Sequence, residues 1–156
     1  DGGACHPRDN IALSWLSRKL NLSFDWFENI MLAREKQTEW LANLMEEYDL
    51  PKVILGTSYK PESNLEIGSA SLLLKNILEK RGHKVIKYDP YVDSDTANNI
   101  KNRFKEPCVF LIGTKHPDFI NFGFPEGSVI IDPWRYMPDM KNVNVIRLGS
   151  NQSKVS

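Results

Sequence analysis

The stretch that decides the fold runs from residue 53 to residue 89. It contains VILGTSY at 53–59, SASLLLKNILEKRG at 69–82 and KVIKYD at 84–89. The first and last segments are short apolar runs typical of buried strands, whereas the middle segment has apolar residues at helical spacing and ends at Gly82. A strand, a helix and a second strand in this order predict a βαβ unit, in which the two strands run parallel.

The same alternation continues toward the end of the chain. We expect a helix over 94–104, a short turn or helix near 117–120, and strands over 108–113, 128–132 and 143–148. Strands that alternate with helices predict a doubly wound, mostly parallel sheet of the α/β class. Ligands of such sheets lie beyond the carboxyl ends of the strands, near the point where the strand order reverses. The candidate binding loops are therefore the segments 57–69, 89–92, 113–117 and 132–136.

Two helices are predicted before the sheet. The first covers residues 10–21, with Asp9 as a plausible N-cap. The second covers about 24 residues within 24–48, where Asp25 and Glu28 resemble a capping box. Because this second helix is longer than a small core needs, we expect it to bridge domains or subunits.

The composition is that of an ordinary globular protein. Of the 156 residues, 41% are apolar and 26% are charged, and 20 Lys and Arg balance 20 Asp and Glu. This balance argues against a nucleic-acid partner, and no apolar run approaches the roughly 20 residues that span a membrane. Two distant cysteines form no disulfide framework, so a cytoplasmic protein is expected, and three scattered histidines predict no metal site. We divide the chain into a helical segment at 1–48 and an α/β domain at 49–156.

The segment GGACHPRD at 2–9 carries the first candidate site. Its two glycines let the backbone approach a ligand closely, and Cys5 precedes a predicted helix N-terminus with Arg8 nearby, which favours the thiolate. Asp9 could orient a water molecule or cap the helix. The same residues also suit an ordinary loop cysteine followed by an N-capping aspartate, and the residues alone leave both interpretations open.

This segment resembles the catalytic-cysteine motif GGxCxPKD of the UDP-glucose/GDP-mannose dehydrogenase family. In that family the cysteine attacks a bound aldehyde, a hydride leaves, and the resulting thioester is hydrolysed to a uronic acid. The resemblance implies that Cys5 is the nucleophile and that Asp9 assists the water chemistry. It further implies that Gly3 lies at the substrate and that Arg8, which replaces the usual lysine, contacts the cofactor.

The second candidate site is GTSYKPESNLEIGSA at 56–70. A strand ends in a polar loop before a helix whose N-terminus can hold an anion, and Lys60 supplies a charge suited to a phosphate. Lys60 could equally be a surface lysine in a turn. The segment is similar to GxAFKPxTDDxRxSPA, which opens the nucleotide-binding domain of the same family. The resemblance implies that Tyr59 and Lys60 contact the nucleotide sugar and that Ser69 begins the helix of the site.

The chain departs from the family pattern in the same segment. Leu65 stands where the family often has aspartate, and Ile67 stands where it usually has the arginine that reaches the cofactor. Part of the cofactor contact is therefore absent or supplied differently.

Three further residues follow predicted strand ends. In DPWRY at 132–136, Arg135 is a candidate substrate contact or a surface cation, and the family's arginine sometimes stands at the place of Trp134. For Asp89 we expect a turn, and His116 could line the pocket.

The resemblance implies the C-terminal part of an NAD-dependent enzyme that oxidises a UDP-sugar to the uronic acid in polysaccharide biosynthesis. The start without a methionine, inside a glycine-rich segment, also leads us to expect a fragment. Because the chain has no GxGxxG, NAD would be bound mainly by an N-terminal Rossmann domain, and the fragment alone should be inactive. We expect a Rossmann-like UDP-binding domain after a helical spine, and a homodimer through the long helix. The alternatives are a stand-alone nucleotide-binding module and an oligomerisation domain, and the identity of the sugar stays open.

Overall fold

The computed structural model describes residues 3, 5–93 and 104–149. Its helices are α1 (Cys5–Lys19), α2 (Trp26–Glu46) and α3 (Ala70–Lys80), and a 3-10 helix covers Pro117–Asn121. Its strands are β1 (Lys52–Leu55), β2 (Val85–Tyr88), β3 (Val109–Ile112), β4 (Val129–Asp132) and β5 (Asn144–Arg147). The helix expected over 94–104 falls, except for its last residue, outside the described residues.

The five strands form one sheet in the order β2-β1-β3-β4-β5, and every neighbouring pair is parallel. Val53 in the centre of the sheet pairs with Ile86 on one side and with Phe110 on the other. From β1 the chain moves first to β2 at the edge and then back to β3, so the strand order reverses between β1 and β3. The prediction of a doubly wound, parallel α/β sheet is therefore confirmed, and its ligand-binding edge is the carboxyl end of these two strands.

The two faces of the sheet are buried by two separate hydrophobic clusters. One face packs against α2 and α3 through Ala42, Met45, Ile54, Leu74, Leu78 and Leu111. The other face is covered by an aromatic cluster that includes Phe104, Phe110, Phe119 and Phe122. Three of the five strands, β1, β3 and β4, are buried along their whole length. Strands buried on both faces are expected to be continuously apolar, as the runs of these three strands are.

Strand β1 ends at Leu55, earlier than the predicted end at Tyr59. Gly56 has a φ of 90°, and a Cβ there would lie 2.5 Å from the backbone nitrogen of Thr114. A positive φ and so close a neighbour suit only glycine, and the chain leaves the extended conformation at this point.

Helix α1 begins at Cys5, five residues before the predicted start at residue 10. Asp9 therefore lies inside the helix, and its assignment as the N-cap is wrong. The N-cap of α2 was predicted correctly, because the Asp25 side chain accepts a hydrogen bond from the backbone nitrogen of Glu28 at 3.0 Å. Helix α2 has 21 residues, slightly fewer than expected.

None of the helices in the described part of the chain is long and apolar enough to cross a membrane.

Candidate functional site

The site is built where the ends of β1 and β3 meet the start of α3. A Cβ on Gly113 would lie 2.0 Å from the Ser71 hydroxyl oxygen and 2.4 Å from the carbonyl oxygen of Gly56. The absence of a side chain at Gly113 therefore lets the first turn of α3 lie directly on the edge of the sheet. This contact places a helix N-terminus at the switch point of the strand order, where α/β sheets bind ligands.

A cavity of about 120 Å³ opens at this helix N-terminus. Ser69 caps α3 by accepting a hydrogen bond from the backbone nitrogen of Leu72 at 3.4 Å. The other N–H groups of a first helical turn have no partner within the helix and favour an anion. The cavity is lined by Ser58, Tyr59, Gly68, Ser69, Ala70, Ser71, Gly113 and Trp134. Two of the predicted substrate-binding residues, Tyr59 and Ser69, are thus brought together.

The glycine of the cysteine segment contacts the same cavity wall. Gly3 is buried with a φ of 63°, and a Cβ on it would lie 2.8 Å from a ring carbon of Tyr59. The Lys60 ammonium lies over the same ring, 5.5 Å from its centroid. Gly3, Tyr59 and Lys60 therefore form one cluster, although they come from segments more than fifty residues apart in the sequence.

Cys5 and Asp9 lie one turn apart on α1, a spacing that puts two side chains on the same helix face. Arg8 donates a hydrogen bond from Nε to Asp9 Oδ1 at 2.7 Å, and this bond holds the pKa of Asp9 below its usual value. All three side chains are exposed. The other cysteine, Cys108, is buried, and this burial raises the pKa of its thiol.

The loop after β4 is organised by one buried carboxylate. Asp132 accepts hydrogen bonds of 2.8–3.0 Å from the backbone nitrogens of residues 134–137. The loop places Trp134 in the cavity wall, and its indole nitrogen donates to the Ile112 carbonyl at 3.0 Å. Arg135 is exposed, has a φ of 58° and is not among the residues that line the cavity. Its substrate contact stays a prediction, and at the cavity itself the loop contributes Trp134.

A buried polar network lies directly behind the cavity. Asp89 is fully buried and accepts hydrogen bonds from the backbone nitrogens of Thr57 and Ser58, at 2.7 and 2.9 Å. His116 is also fully buried, and its Nε2 lies 3.1 Å from Asp89 Oδ2. Burial opposes ionisation of Asp89, but the hydrogen bonds from His116 and from the backbone outweigh it, so the pKa of this carboxyl lies well below its usual value.

Sequence reasoning did not predict this network. Asp89 was expected to belong to a turn, and its backbone N–H does donate a hydrogen bond to Asp93 Oδ2 at 3.0 Å. The missed signal is that Asp89 follows the end of β2 and His116 follows the end of β3, the two strands on either side of β1. In a parallel sheet those positions meet at one edge.

A second, more apolar cavity of about 160 Å³ adjoins the first and shares four of its lining residues. Leu41 and Leu74 lie on its walls, together with Thr38 and Arg34 of α2. The Arg34 guanidinium donates to the carbonyl oxygen of Gly68 at 3.0 Å. This bond ties the long helix to the segment that precedes α3, so the helical part of the chain supports the candidate site.

Leu65 and Ile67 are largely exposed, with 52% and 70% of their surface accessible. In the described part of the chain, no three His, Cys, Asp or Glu side chains are grouped so that they could hold a metal ion.

Among comparisons with known proteins, the one with solved structures finds similar chains. No family model matches the chain, and no curated protein sequence matches it significantly. Among solved structures, a GDP-mannose dehydrogenase from Pseudomonas aeruginosa matches 92% of this chain, with a TM-score of 0.72 and 20% identity. A UDP-glucose dehydrogenase from Pyrobaculum islandicum matches 94% with a TM-score of 0.72 and 18% identity. A UDP-N-acetyl-mannosamine dehydrogenase from Staphylococcus aureus matches 79% with a TM-score of 0.59 and 19% identity.

These structures are much longer than the chain. The aligned part corresponds to 39%, 37% and 32% of their respective lengths. The chain therefore has the fold of one part of nucleotide-sugar dehydrogenases, in agreement with the resemblance of its two motifs.

Proposed function

We propose that the chain is the part of a nucleotide-sugar dehydrogenase that supplies the catalytic cysteine and binds the nucleotide diphosphate of the sugar donor. The observation that carries the proposal is the contact of Gly3 with the Tyr59 ring. This contact brings the cysteine segment to the cavity at the N-terminus of α3. The two motifs that resemble the family independently in sequence thus meet at one place in the fold.

The cavity suits a diphosphate for two reasons. The first turn of α3 offers backbone N–H groups and the positive end of the helix dipole. The exposed ammonium of Lys60, which adjoins the cavity through Tyr59, adds a full positive charge. The half-buried Tyr59 ring, near both Gly3 and Lys60, would contact the sugar or its phosphate.

The proposed chemistry of Cys5 follows the family resemblance. The thiolate sulfur adds to the carbonyl carbon of a bound aldehyde, and the loss of hydride from that adduct gives a thioester. Water then cleaves the thioester to the carboxylate of the uronic acid and releases Cys5. Asp9, on the same helix face as Cys5, is proposed to orient this water, and its lowered pKa keeps it ionised for that task.

NAD would accept the hydride in the complete enzyme. The residues of this chain do not by themselves fit a dinucleotide site, because the sequence has no GxGxxG and Ile67 replaces the family's arginine. Arg8 is the one residue here to which the resemblance assigns a cofactor contact, and its guanidinium is exposed beside Asp9. We therefore propose that NAD is held mainly by a domain outside this chain, and that this chain alone does not turn over.

The helical segment is proposed to form a homodimer. Large apolar side chains of the region 24–48 are exposed, although such residues are usually buried. They are Phe24 at 56%, Trp26 at 64%, Leu32 at 48% and Trp40 at 50% exposure. A second copy of α2 packed on this face would bury them. The exposed and the buried cysteine are both free, which fits a cytoplasmic protein.

Isothermal titration calorimetry with UDP, GDP and NAD tests the diphosphate site. We expect the chain to bind a nucleoside diphosphate weakly and NAD not appreciably. Replacing Lys60 by alanine should weaken diphosphate binding by about tenfold or more, since a charge-assisted contact contributes about 1.5–3 kcal/mol. The matched control is Lys80→Ala, which removes an equally exposed lysine from the last turn of α3, at the end away from the cavity.

Tighter binding of NAD than of either diphosphate would contradict the assignment. Unchanged UDP affinity in the Lys60→Ala variant would contradict it as well. A third result would favour a nucleotide-binding module without chemistry. In that case diphosphate binding depends on Lys60, but Cys5 does not react with aldehydes in the assembled enzyme.

A further inference from the structure

We propose that Asp89 and His116 are positioning residues, a buried pair that holds the loop 57–62 in the conformation that presents Tyr59 and Lys60 to the cavity. The inference rests on the proposed function, since it assigns a task within the proposed diphosphate site. It concerns two residues that lie behind the cavity wall and do not line it.

Asp89 fixes the first half of the loop. Its Oδ2 accepts the backbone N–H groups of Thr57 and Ser58, at 2.7 and 2.9 Å. Its Oδ1 accepts the backbone N–H of Tyr91 at 2.9 Å. One carboxylate thus joins the segment after β1 to the segment after β2. Since Asp89 is fully buried, water cannot replace these bonds, and their geometry is well defined.

His116 fixes the second half of the loop. Its Nε2 lies 3.1 Å from both Asp89 Oδ2 and the Ser58 hydroxyl oxygen, and its Nδ1 accepts the backbone N–H of Glu62 at 3.4 Å. These partners assign the neutral tautomer with its proton on Nε2. The ring is held from outside by Tyr91, which stacks on it at a centroid distance of 4.8 Å.

The loop is therefore bound on both sides of its two outward-facing side chains. The Ser58 hydroxyl donates to the carbonyl oxygen of Lys60 at 3.0 Å, and the Thr114 hydroxyl donates to the carbonyl oxygen of Ser58. Between these points Tyr59 is half-buried and Lys60 is exposed. A backbone that is fixed at its flanks and presents Tyr59 and Lys60 at its centre is preorganised for a ligand, because the backbone has little conformational freedom left to lose on binding.

A double-mutant cycle tests this inference by UDP calorimetry on the wild type, His116→Leu, Lys60→Ala and the double variant. We expect His116→Leu to weaken UDP binding by about tenfold, since Lys60 is then no longer held toward the cavity. In this background Lys60→Ala should cost less than about threefold, against about tenfold in the wild type. A residue that only stabilised the fold would not change the contribution of Lys60.

Two further variants make the result specific. His116→Gln can keep a donor toward Asp89 but loses the acceptor for the Glu62 N–H, so its UDP affinity should lie between those of the wild type and His116→Leu. His83→Leu removes a histidine whose partner is Glu46, on another part of the molecule, and it should leave UDP affinity unchanged. If His116→Leu does not fold by far-UV circular dichroism, His116→Gln takes its place in the cycle.

Additive losses, in which Lys60→Ala costs the same factor with and without His116, would overturn the inference. A wild-type chain that binds no nucleoside diphosphate would instead refute the proposed function. In that case the positioning of the loop is tested by hydrogen exchange at the backbone amides of Ser58 and Glu62. Faster exchange in His116→Gln than in the wild type supports the inference, and unchanged exchange at both amides overturns it.

Discussion

Replacing Gly113 by alanine is expected to destabilise the sheet edge on which the cavity is built. The added methyl group would lie 2.0 Å from the Ser71 hydroxyl oxygen and 2.4 Å from the carbonyl oxygen of Gly56. The hydroxyl can rotate away, but the carbonyl belongs to the backbone directly after β1 and cannot move without moving the chain. Either α3 must lift from the sheet or β1 and β3 must separate at their carboxyl ends.

Overpacking in a well-packed region costs about 1–3 kcal/mol, and with two overlaps, one of them against backbone, we expect about 3 kcal/mol. In a domain of this size each kcal/mol shifts the melting temperature by about 2–4 °C, so the midpoint should fall by roughly 6–12 °C. Thermal unfolding followed by far-UV circular dichroism measures this shift. Urea unfolding measures the free energy directly.

Gly123→Ala is the matched control, because a Cβ at this exposed position meets no atom within 4 Å. It should leave the midpoint unchanged or raise it slightly. The double variant Gly113→Ala/Ser71→Ala should recover part of the loss, since one of the two overlaps is removed. A Gly113→Ala variant as stable as the wild type would show that the close approach of α3 to the sheet edge is not as described.

Two other predictions concern the first fifty residues. Cys5 should be alkylated faster than Cys108, because Cys5 is exposed whereas burial raises the pKa of the Cys108 thiol. Mass mapping after brief iodoacetamide treatment measures the two labelling rates. Equal labelling, or faster labelling of Cys108, would count against Cys5 as the nucleophile. At micromolar concentration the chain should scatter light as a dimer, and Trp40→Glu, which puts a charge on the exposed face of α2, should shift it to a monomer. A wild-type monomer would refute dimerisation through this helix. The control for added negative charge is Lys80→Glu, at an exposed position in the last turn of α3, outside the helical segment.

The architecture of the sheet could be predicted from the sequence because each buried strand is a short apolar run and each break carries glycine, proline or aspartate. What could not be predicted is where the chain leaves the sheet. Strand β1 was expected to reach Tyr59, since VILGTSY is uninterrupted by any charged residue. It ends at Leu55 because Gly56 turns the chain with a positive φ, and because Asp89, more than thirty residues later, accepts the backbone N–H groups of Thr57 and Ser58.

The candidate site shows the same limit. The cysteine segment and the loop after β1 could be recognised separately from their motifs, but only the fold shows that Gly3 rests against Tyr59. The role of Asp9 as a helix cap was inferred from its residue type, and it was wrong because α1 already begins at Cys5. Long-range contacts of this kind depend on how the elements pack, and local propensity carries no information about them.

The carboxylate of Asp132 has a consequence for how this site can change over evolutionary time. A single side chain binds four successive backbone nitrogens, so the path of residues 134–137 is specified by a residue outside them. Backbone bonds are indifferent to the side chains carried by those residues. The side chains at positions 134 and 135 can therefore change while Asp132 keeps the path of the loop, provided that the residue at 135 tolerates a φ of 58°. The wall that Trp134 contributes to the cavity can thus be altered without rebuilding the scaffold that holds it.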